Sequence, residues 1–365
     1  MVDSVPARIV ALHLKQFRCF ADQTFGLDAP LVYIVGSNGS GKTSIVEALH
    51  YACYVRSFRT PSFREIYMYA TDSFFVKLSV RHHGEVNDIQ VGTHDAKRLI
   101  KVNQQRIEFH KDLLQYYRAI TITEDSLDLV KEGPIERRSF LDQALALKDI
   151  EYVSILKSMQ ATLETRNAAL HFGECQHEIY EIWTMQLWER TSTVQLARIA
   201  FLKELEQVVQ ALINNYFDAA FSVFLTYTPK KMGIGMKYID FRARNPSLRT
   251  DELRFKRSLF GAHLDDVSIT LGGMHARHFA SRGQQKLITV LVKAAYAKLL
   301  TLAFRGPIVL LIDDFMTDFD HARITAVMRL LYDLNVQLIF TSPIRDSFFE
   351  GFAKELCADT LSLCL

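Results

Sequence analysis

The chain lacks the runs and residue pairs that would place it in a membrane, outside the cell or around a metal. No stretch reaches the eighteen or so uncharged apolar residues that a membrane span needs, because Arg305 breaks the longest apolar region at 299–311. The first residues, Met1-Val2-Asp3-Ser4, show no basic segment leading into an apolar core, so no secretory signal is expected. A cytoplasmic protein without a membrane anchor follows as the expectation. Cysteine is scarce: Cys19, Cys53, Cys175, Cys357 and Cys364 are scattered, odd in number and without CxxC or Cys/His ligand spacing. They are expected to be buried thiols in a reducing compartment, without metal or redox chemistry. Net charge is also small, at +2, so any nucleic-acid surface must come from local clustering.

What is present is a globular composition, 49% apolar over 365 residues, enough for a large core plus a subdomain. The apolar run Leu31-Val32-Tyr33-Ile34-Val35 leads into Gly36-Ser37-Asn38-Gly39-Ser40-Gly41-Lys42-Thr43, and a helical segment follows from Ser44 to Tyr54. Strand, glycine loop and helix in that order make a P-loop. Glycine permits backbone angles that a β-carbon forbids and lets successive N–H groups converge on phosphate oxygens. Lys42 adds a fixed positive charge and Thr43 offers a hydroxyl to Mg²⁺, so ATP and Mg²⁺ are the expected ligands of residues 36–43.

Two further segments belong with it. Ile308-Val309-Leu310-Leu311-Ile312 is apolar enough to be buried on both faces, and it ends in Asp313-Asp314, the Walker B arrangement at the carboxyl edge of a parallel sheet. Asp313 is the expected Mg²⁺ ligand with Thr43, and Asp313 and Asp314 are the expected catalytic pair, Asp314 orienting the attacking water. Ser281-Arg282-Gly283-Gln284-Gln285 opens a helix and offers a hydroxyl and N–H groups to an anion. A chain with its own P-loop needs a second phosphate-binding helix only to cap the nucleotide of another subunit. Ser281, Gly283 and Gln284 are therefore expected to complete a composite site across a homodimer, as in ABC-type ATPases. Thr317-Asp318-Phe319-Asp320 stands where such proteins place a dimer-contacting loop, and Gln337-Leu338-Ile339-Phe340-Thr341 reads as a strand ending in a polar switch residue.

The remaining pattern supplies the frame. Residues 9–27 read as two short strands joined by Lys15-Gln16-Phe17-Arg18-Cys19-Phe20, residues 74–80, 88–91 and 99–102 as an antiparallel set, and 119–122 as another strand. From 150 to about 210 there is no proline, and Gly173 is the expected turn of a helical hairpin. Residues 221–227 return to strand. The fold class expected is α/β, an ABC-type ATPase head (P-loop NTPase with mixed sheets) carrying a short helical arm. Its division is 1–148, the first part of the ATPase lobe; 149–215, the arm; and 216–365, the rest of the lobe.

The chain resembles the RecF family of bacterial DNA replication and repair proteins over most of its length. The resemblance rests on Phe17-Arg18-Cys19-Phe20, Arg56-Ser57-Phe58-Arg59-Thr60, Glu164-Thr165-Arg166-Asn167, Gly261-Ala262-His263-Leu264-Asp265-Asp266, the Ser281 segment and Leu311-Ile312-Asp313-Asp314-Phe315. The block Gly133-Pro134-Ile135-Glu136-Arg137-Arg138-Ser139-Phe140-Leu141-Asp142 is its most diagnostic part. Departures at Glu124-Asp125, Glu132, Leu264 and 317–320 mark a divergent member and leave the P-loop, signature and Walker B residues intact. The resemblance implies ATP-dependent dimerisation, binding to DNA at gaps or single-strand/double-strand junctions, slow hydrolysis, and cooperation with RecO and RecR in loading recombinase. Arg56, Arg59, Arg137 and Arg138 are candidate DNA-phosphate contacts by residue type. An SMC-type DNA-repair or structural ATPase is the alternative, but an arm of about sixty residues rising about 1.5 Å each is short for one. A transporter ATPase or a small-molecule kinase leaves the Ser281 segment or the long span before it unexplained.

Overall fold

A computed structural model describes residues 7–82, 84–94, 97–172, 176–218, 221–343, 347–357 and 359–365. The chain divides into two compact units, Met1–Ser126 with Phe304–Leu365, and Leu127–Ala303. These boundaries fall elsewhere than the expected breaks at 148 and 215.

In chain order the strands are β1 (Arg8–Phe17), β2 (Phe20–Gly26), β3 (Leu31–Val35), β4 (Phe74–His82), β5 (Glu85–His94), β6 (Lys97–Val102), β7 (Gln105–Arg106), β8 (Arg118–Ile122), β9 (Val223–Thr228), β10 (Asp266–Leu271), β11 (Met274–His275), β12 (Ile308–Ile312), β13 (Gln337–Ser342) and β14 (Thr360–Cys364). The first unit holds two sheets. One is antiparallel, in the order β2-β1-β4-β5-β6-β7, and the other is parallel, in the order β14-β3-β13-β12-β8. Alternation in the antiparallel sheet sends Leu12, Leu14, Val76, Leu78, Ile89 and Val91 into a common apolar cluster with Ile45, Val46 and Leu49 of the helix Lys42–Tyr54. Val32, Ile34, Val309, Leu311 and Ile339 of the parallel sheet join the same cluster. The helix that follows the glycine loop is thereby fixed by apolar packing rather than by a side-chain cap, which it lacks.

β3 and β12 are buried at every position because each runs inside the parallel sheet. Parallel pairing also aligns their carboxyl ends, which is where both motifs begin. β1 and β2 differ from expectation: each strand is longer, and only Arg18 and Cys19 join them. Arg18 adopts φ 53° and donates its backbone N–H to Ile66, so the tight turn replaces the six-residue joint read from sequence.

In the second unit the helices Ile150–Phe172 and His177–Tyr216 form the expected hairpin; Gly173 and Cys175 lie outside the described residues. Leu187, Val194, Phe201, Leu205, Val209 and Leu212 place a buried stripe along the longer helix, which packs on the helix Arg282–Ala303 and on β9. β9, β10 and β11 form a small antiparallel sheet. Among the described residues no helix is long and apolar enough to cross a membrane. Cys53 and Cys357 are buried as expected, whereas Cys19 and Cys364 are exposed, each at a chain segment whose outer side meets solvent.

Candidate nucleotide site

The loop 36–41 is held by close approaches that only glycine allows. Gly41 has φ 103°, and a β-carbon there would lie 2.5 Å from the Phe20 ring and 2.8 Å from Cys19 Sγ. At Gly36 a β-carbon would meet Ser40 Oγ at 2.5 Å and the Leu365 carbonyl at 3.0 Å. Ser37, Asn38 and Gly39 face solvent. Lys42 is 4% exposed and curls back so that Nζ donates to the carbonyls of Gly36 at 2.8 Å and Ser37 at 3.1 Å. No carboxylate pairs with it among the described residues. Ser40 Oγ is buried without a hydrogen-bond partner. A cradle with an unneutralised ammonium and an unused hydroxyl suits an anion that brings several acceptor oxygens.

Beside it stand the two aspartates. Asp313 is 8% exposed and follows β12, its N–H donating to Ile122 of β8. The Thr341 hydroxyl, at the end of neighbouring β13, lies 2.7 Å from Asp313 Oδ1 and 3.1 Å from Asp314 Oδ1, and accepts the Asp314 N–H at 2.9 Å. With one proton, it donates to the nearer carboxylate. Thr43 also hydrogen-bonds Asp313, so the P-loop hydroxyl and the acid after β12 meet. Burial lifts the Asp313 carboxyl above its ordinary range; the hydrogen bonds from Thr341 and Thr43 oppose this, the Asp314 charge adds to it, and the Arg59 charge opposes it. Asp314 sits at φ 47°, ψ 20°, a left-handed backbone that costs a non-glycine residue about 1–3 kcal/mol. Glu124 and Asp125 follow β8 on an exposed turn.

Beneath the loop, sequence reasoning missed a charged network. Glu47 is fully buried on the Lys42–Tyr54 helix and accepts two hydrogen bonds from Arg18, at 2.8 and 2.6 Å, one from Ser57 at 2.5 Å, and a long one from Arg59 at 3.5 Å. The signal was a lone carboxylate among apolar helix residues. Its effect is to tie the helix after the glycine loop to the Arg56–Thr60 segment, the guanidinium of Arg59 remaining 42% exposed.

The other expected residues lie in different settings. Ser281, Gly283 and Gln284 belong to the second unit and open the Arg282–Ala303 helix; Ser281 N–H donates to Gln284 Oε1 at 2.8 Å and Gln284 N–H to Ser281 Oγ at 3.3 Å, a reciprocal capping box with the serine exposed. Arg56 is exposed. The expectation for Arg137 is corrected: it is buried, donates to Asp266 from Nε at 2.8 Å and Nη2 at 3.0 Å, and reaches the Glu132 carbonyl, so its charge is already paired within the fold. Arg138 donates to the Asp265 carbonyl at 2.6 Å and keeps part of its surface open. In the segment 317–320, Asp320 caps the helix His321–Tyr332 by accepting from Arg323 N at 2.8 Å.

The AAA domain family matches residues 11–216. The chain is 27% identical over 335 residues to the DNA replication and repair protein RecF of Geotalea daltonii, covering 91% of this chain and 92% of that one. It is 29% identical over 336 residues to the protein of the same name from Moorella thermoacetica, covering 91% and 89%. A solved structure of the recombination mediator protein RecF with ATP, in the RecFOR pathway, superposes with a TM-score of 0.80 at 21% identity over 95% of this chain and 94% of that one. The Smc head domain of Pyrococcus furiosus, bound to the C-terminal domain of ScpA, shares the fold at a TM-score of 0.54 and 14% identity, over 95% and 92%.

Proposed function

We propose, from the premise that the chain belongs to the AAA-domain proteins and among them to the RecF family, that it is an ATP-driven DNA replication and repair protein. In this reading it binds ATP at residues 36–43, dimerises on ATP, and holds DNA at gaps or single-strand/double-strand junctions. It hydrolyses ATP slowly and works in the cytoplasm with RecO and RecR in recombinational repair. One observation carries the nucleotide part: a chain of hydroxyls and carboxylates, Thr43 to Asp313 to Thr341 to Asp314, stands beside an ammonium that no acid among the described residues neutralises.

The roles follow from this chemistry. Lys42 turns from its two carbonyls to the β- and γ-phosphates, and the loop N–H groups and Ser40 Oγ take up the remaining oxygens. Oxygen donors of this hard type fit Mg²⁺, which Thr43 and Asp313 would hold and which, when bound, supplies charge shared by the phosphate oxygens. Asp314, the less buried acid, orients the attacking water, and its backbone strain fixes where it points. Ser281, Gly283 and Gln284 cap the γ-phosphate of a second copy, which makes hydrolysis depend on the homodimer. Arg56 and Arg59 stay as DNA-phosphate candidates and Arg138 as a weaker one.

Mixing two inactive chains tests the trans arrangement. Lys42→Met should lose ATP binding by calorimetry, and Ser281→Arg should bind ATP yet neither dimerise nor hydrolyse. A heterodimer of the two rebuilds one complete site, so ATPase activity should return on mixing at fixed total protein. Heterodimers seen by light scattering without activity would overturn the composite site.

A further inference from the structure

The antiparallel sheet of the first unit turns one face to the core and offers the other to solvent. On that outer face Lys15, Phe75, Gly92 and Leu99 form one cross-strand row, and His13, Lys77, Gln90, Lys101 and Arg106 form the next. A groove of about 250 Å³ opens along these rows. Its floor is Gly92, where a β-carbon would meet the Phe74 carbonyl at 2.6 Å, so no larger residue fits. The missing side chain leaves a slot between Phe75 and Leu99, which stand two strand spacings, or about 9–10 Å, apart. Phe75 is half-buried, its ring T-shaped to that of His13 with centroids 6.0 Å apart, and Leu99 is 41% exposed.

Charge on this face is unbalanced. Arg8, Lys15, Lys77, Arg81, Lys101 and Arg106 meet only Asp22, Asp28 and Asp88: Asp28 takes Arg8 and Arg81, Asp88 takes Lys77, and Asp22 lies 4.0 Å from Lys15. Lys101 and Arg106 have no acid partner among the described residues. An apolar slot beside an amide and unpaired cations suits a polyanion that carries flat rings and can present them edge-on. A duplex keeps its rings stacked inside; a single strand does not.

We propose that this face binds single-stranded DNA. One base enters the slot between Phe75 and Leu99, with Gln90 at its edge, and Lys15, Lys101 and Arg106 hold the flanking phosphates. The inference rests on the reading of the chain as a DNA-binding protein and adds which strand is held and where. Stacking on Phe75 makes the site tolerant of sequence, and the cations make it sensitive to salt.

The test uses the full chain with ATP and a fluorescein-labelled oligothymidylate, read by anisotropy, beside a duplex of equal length. Phe75→Ala with Leu99→Ser should weaken oligothymidylate binding about tenfold while duplex and ATP binding stay within twofold. Lys101→Glu with Arg106→Glu, the first at a half-buried and the second at an exposed position, should reduce the slope of log K against log salt by about 1.4 for the single strand. Leu99→Trp adds a stacking surface without removing one, and should tighten oligothymidylate binding with quenching of the new tryptophan. Wild-type oligothymidylate affinity in the Phe75/Leu99 variant, or an equal loss on both DNA forms, would overturn the slot while leaving DNA binding in place. If the unaltered chain binds neither form, the DNA reading falls and this inference falls with it.

Discussion

In the second unit the buried guanidinium of Arg166 meets Glu252 at 2.6 and 3.1 Å, Ser258 at 2.7 Å and Thr184 at 3.0 Å, and only its Nε–H makes no hydrogen bond. Glu252 completes its own set with Tyr180 and the Leu259 N–H. Arg198 and Asp142 repeat the pattern nearby, with Tyr152 and the Ala262 carbonyl as further partners. In the first unit Asp313 takes hydrogen bonds from Thr43 and from the Thr341 hydroxyl it shares with Asp314, and among the described residues Lys42 meets only backbone carbonyls. Buried charge is paired where it holds the arm, whereas the Lys42 ammonium in the glycine loop meets no acid among the described residues. Unmatched charge is therefore the better guide to function here, and paired charge the better guide to stability.

Breaking the paired side should have the largest effect. Arg166→Ala leaves Glu252 buried without its counter-charge, and the second unit should lose about 3–5 kcal/mol. Both tryptophans, Trp183 and Trp188, lie in that unit, so their fluorescence in a urea titration reports it directly. Arg166→Met with Glu252→Met removes both charges and should recover much of the loss. Equal destabilisation by the single and double changes would mean that the pair acts through packing rather than charge.

Less destabilising, and sharper for the unmatched side, is Asp314→Asn. If Asp314 orients water, ATP binding and dimerisation should persist while turnover falls about a hundredfold, or about 2.7 kcal/mol. Steady-state hydrolysis and size-exclusion with ATP measure the two together. Unchanged turnover would pass the role to Glu124 or Asp125 on the neighbouring turn.

The same contrast explains what was legible beforehand. Residues 36–43 and 308–314 could be read because each motif is contiguous and its neighbours in sequence fix its setting, a strand before and a turn or helix after. Thr341 could be named as a polar strand end, but not its 2.7 Å bond to Asp313, which depends on the order of strands in the parallel sheet. Arg137 reads as a surface arginine because its partner, Asp266, lies 129 residues away. β10 and β14 escaped for the same reason: β14 is a short half-exposed segment whose strand character comes from pairing with β3 across the whole chain. Glu47 could have been found from its place on an apolar helix, while Arg18, in a segment quoted only as a family mark, gave no sign of turning back 29 residues to meet it.

The smallest effect expected is on stability, with a sign opposite to the first. Burial, reinforced by the Asp314 charge, raises the Asp313 carboxyl above its ordinary 3.8, so the native chain binds that proton more tightly than the unfolded chain does. The stabilisation this gives is complete below the ordinary value and is lost as pH rises through the raised one. Ionising Asp313 therefore costs more in the folded than in the unfolded chain, and Asp313→Asn should remove that cost while keeping the acceptor for Thr341. The variant should gain on the order of 1 kcal/mol at pH 7, seen as a higher melting temperature by calorimetry without nucleotide, and the gain should vanish below about pH 4. Its ATPase activity should fall even as its melting temperature rises. A variant less stable than the parent at pH 7 would show that Thr43, Thr341 and Arg59 already satisfy Asp313, and the contrast between the two units would then rest on Lys42 alone.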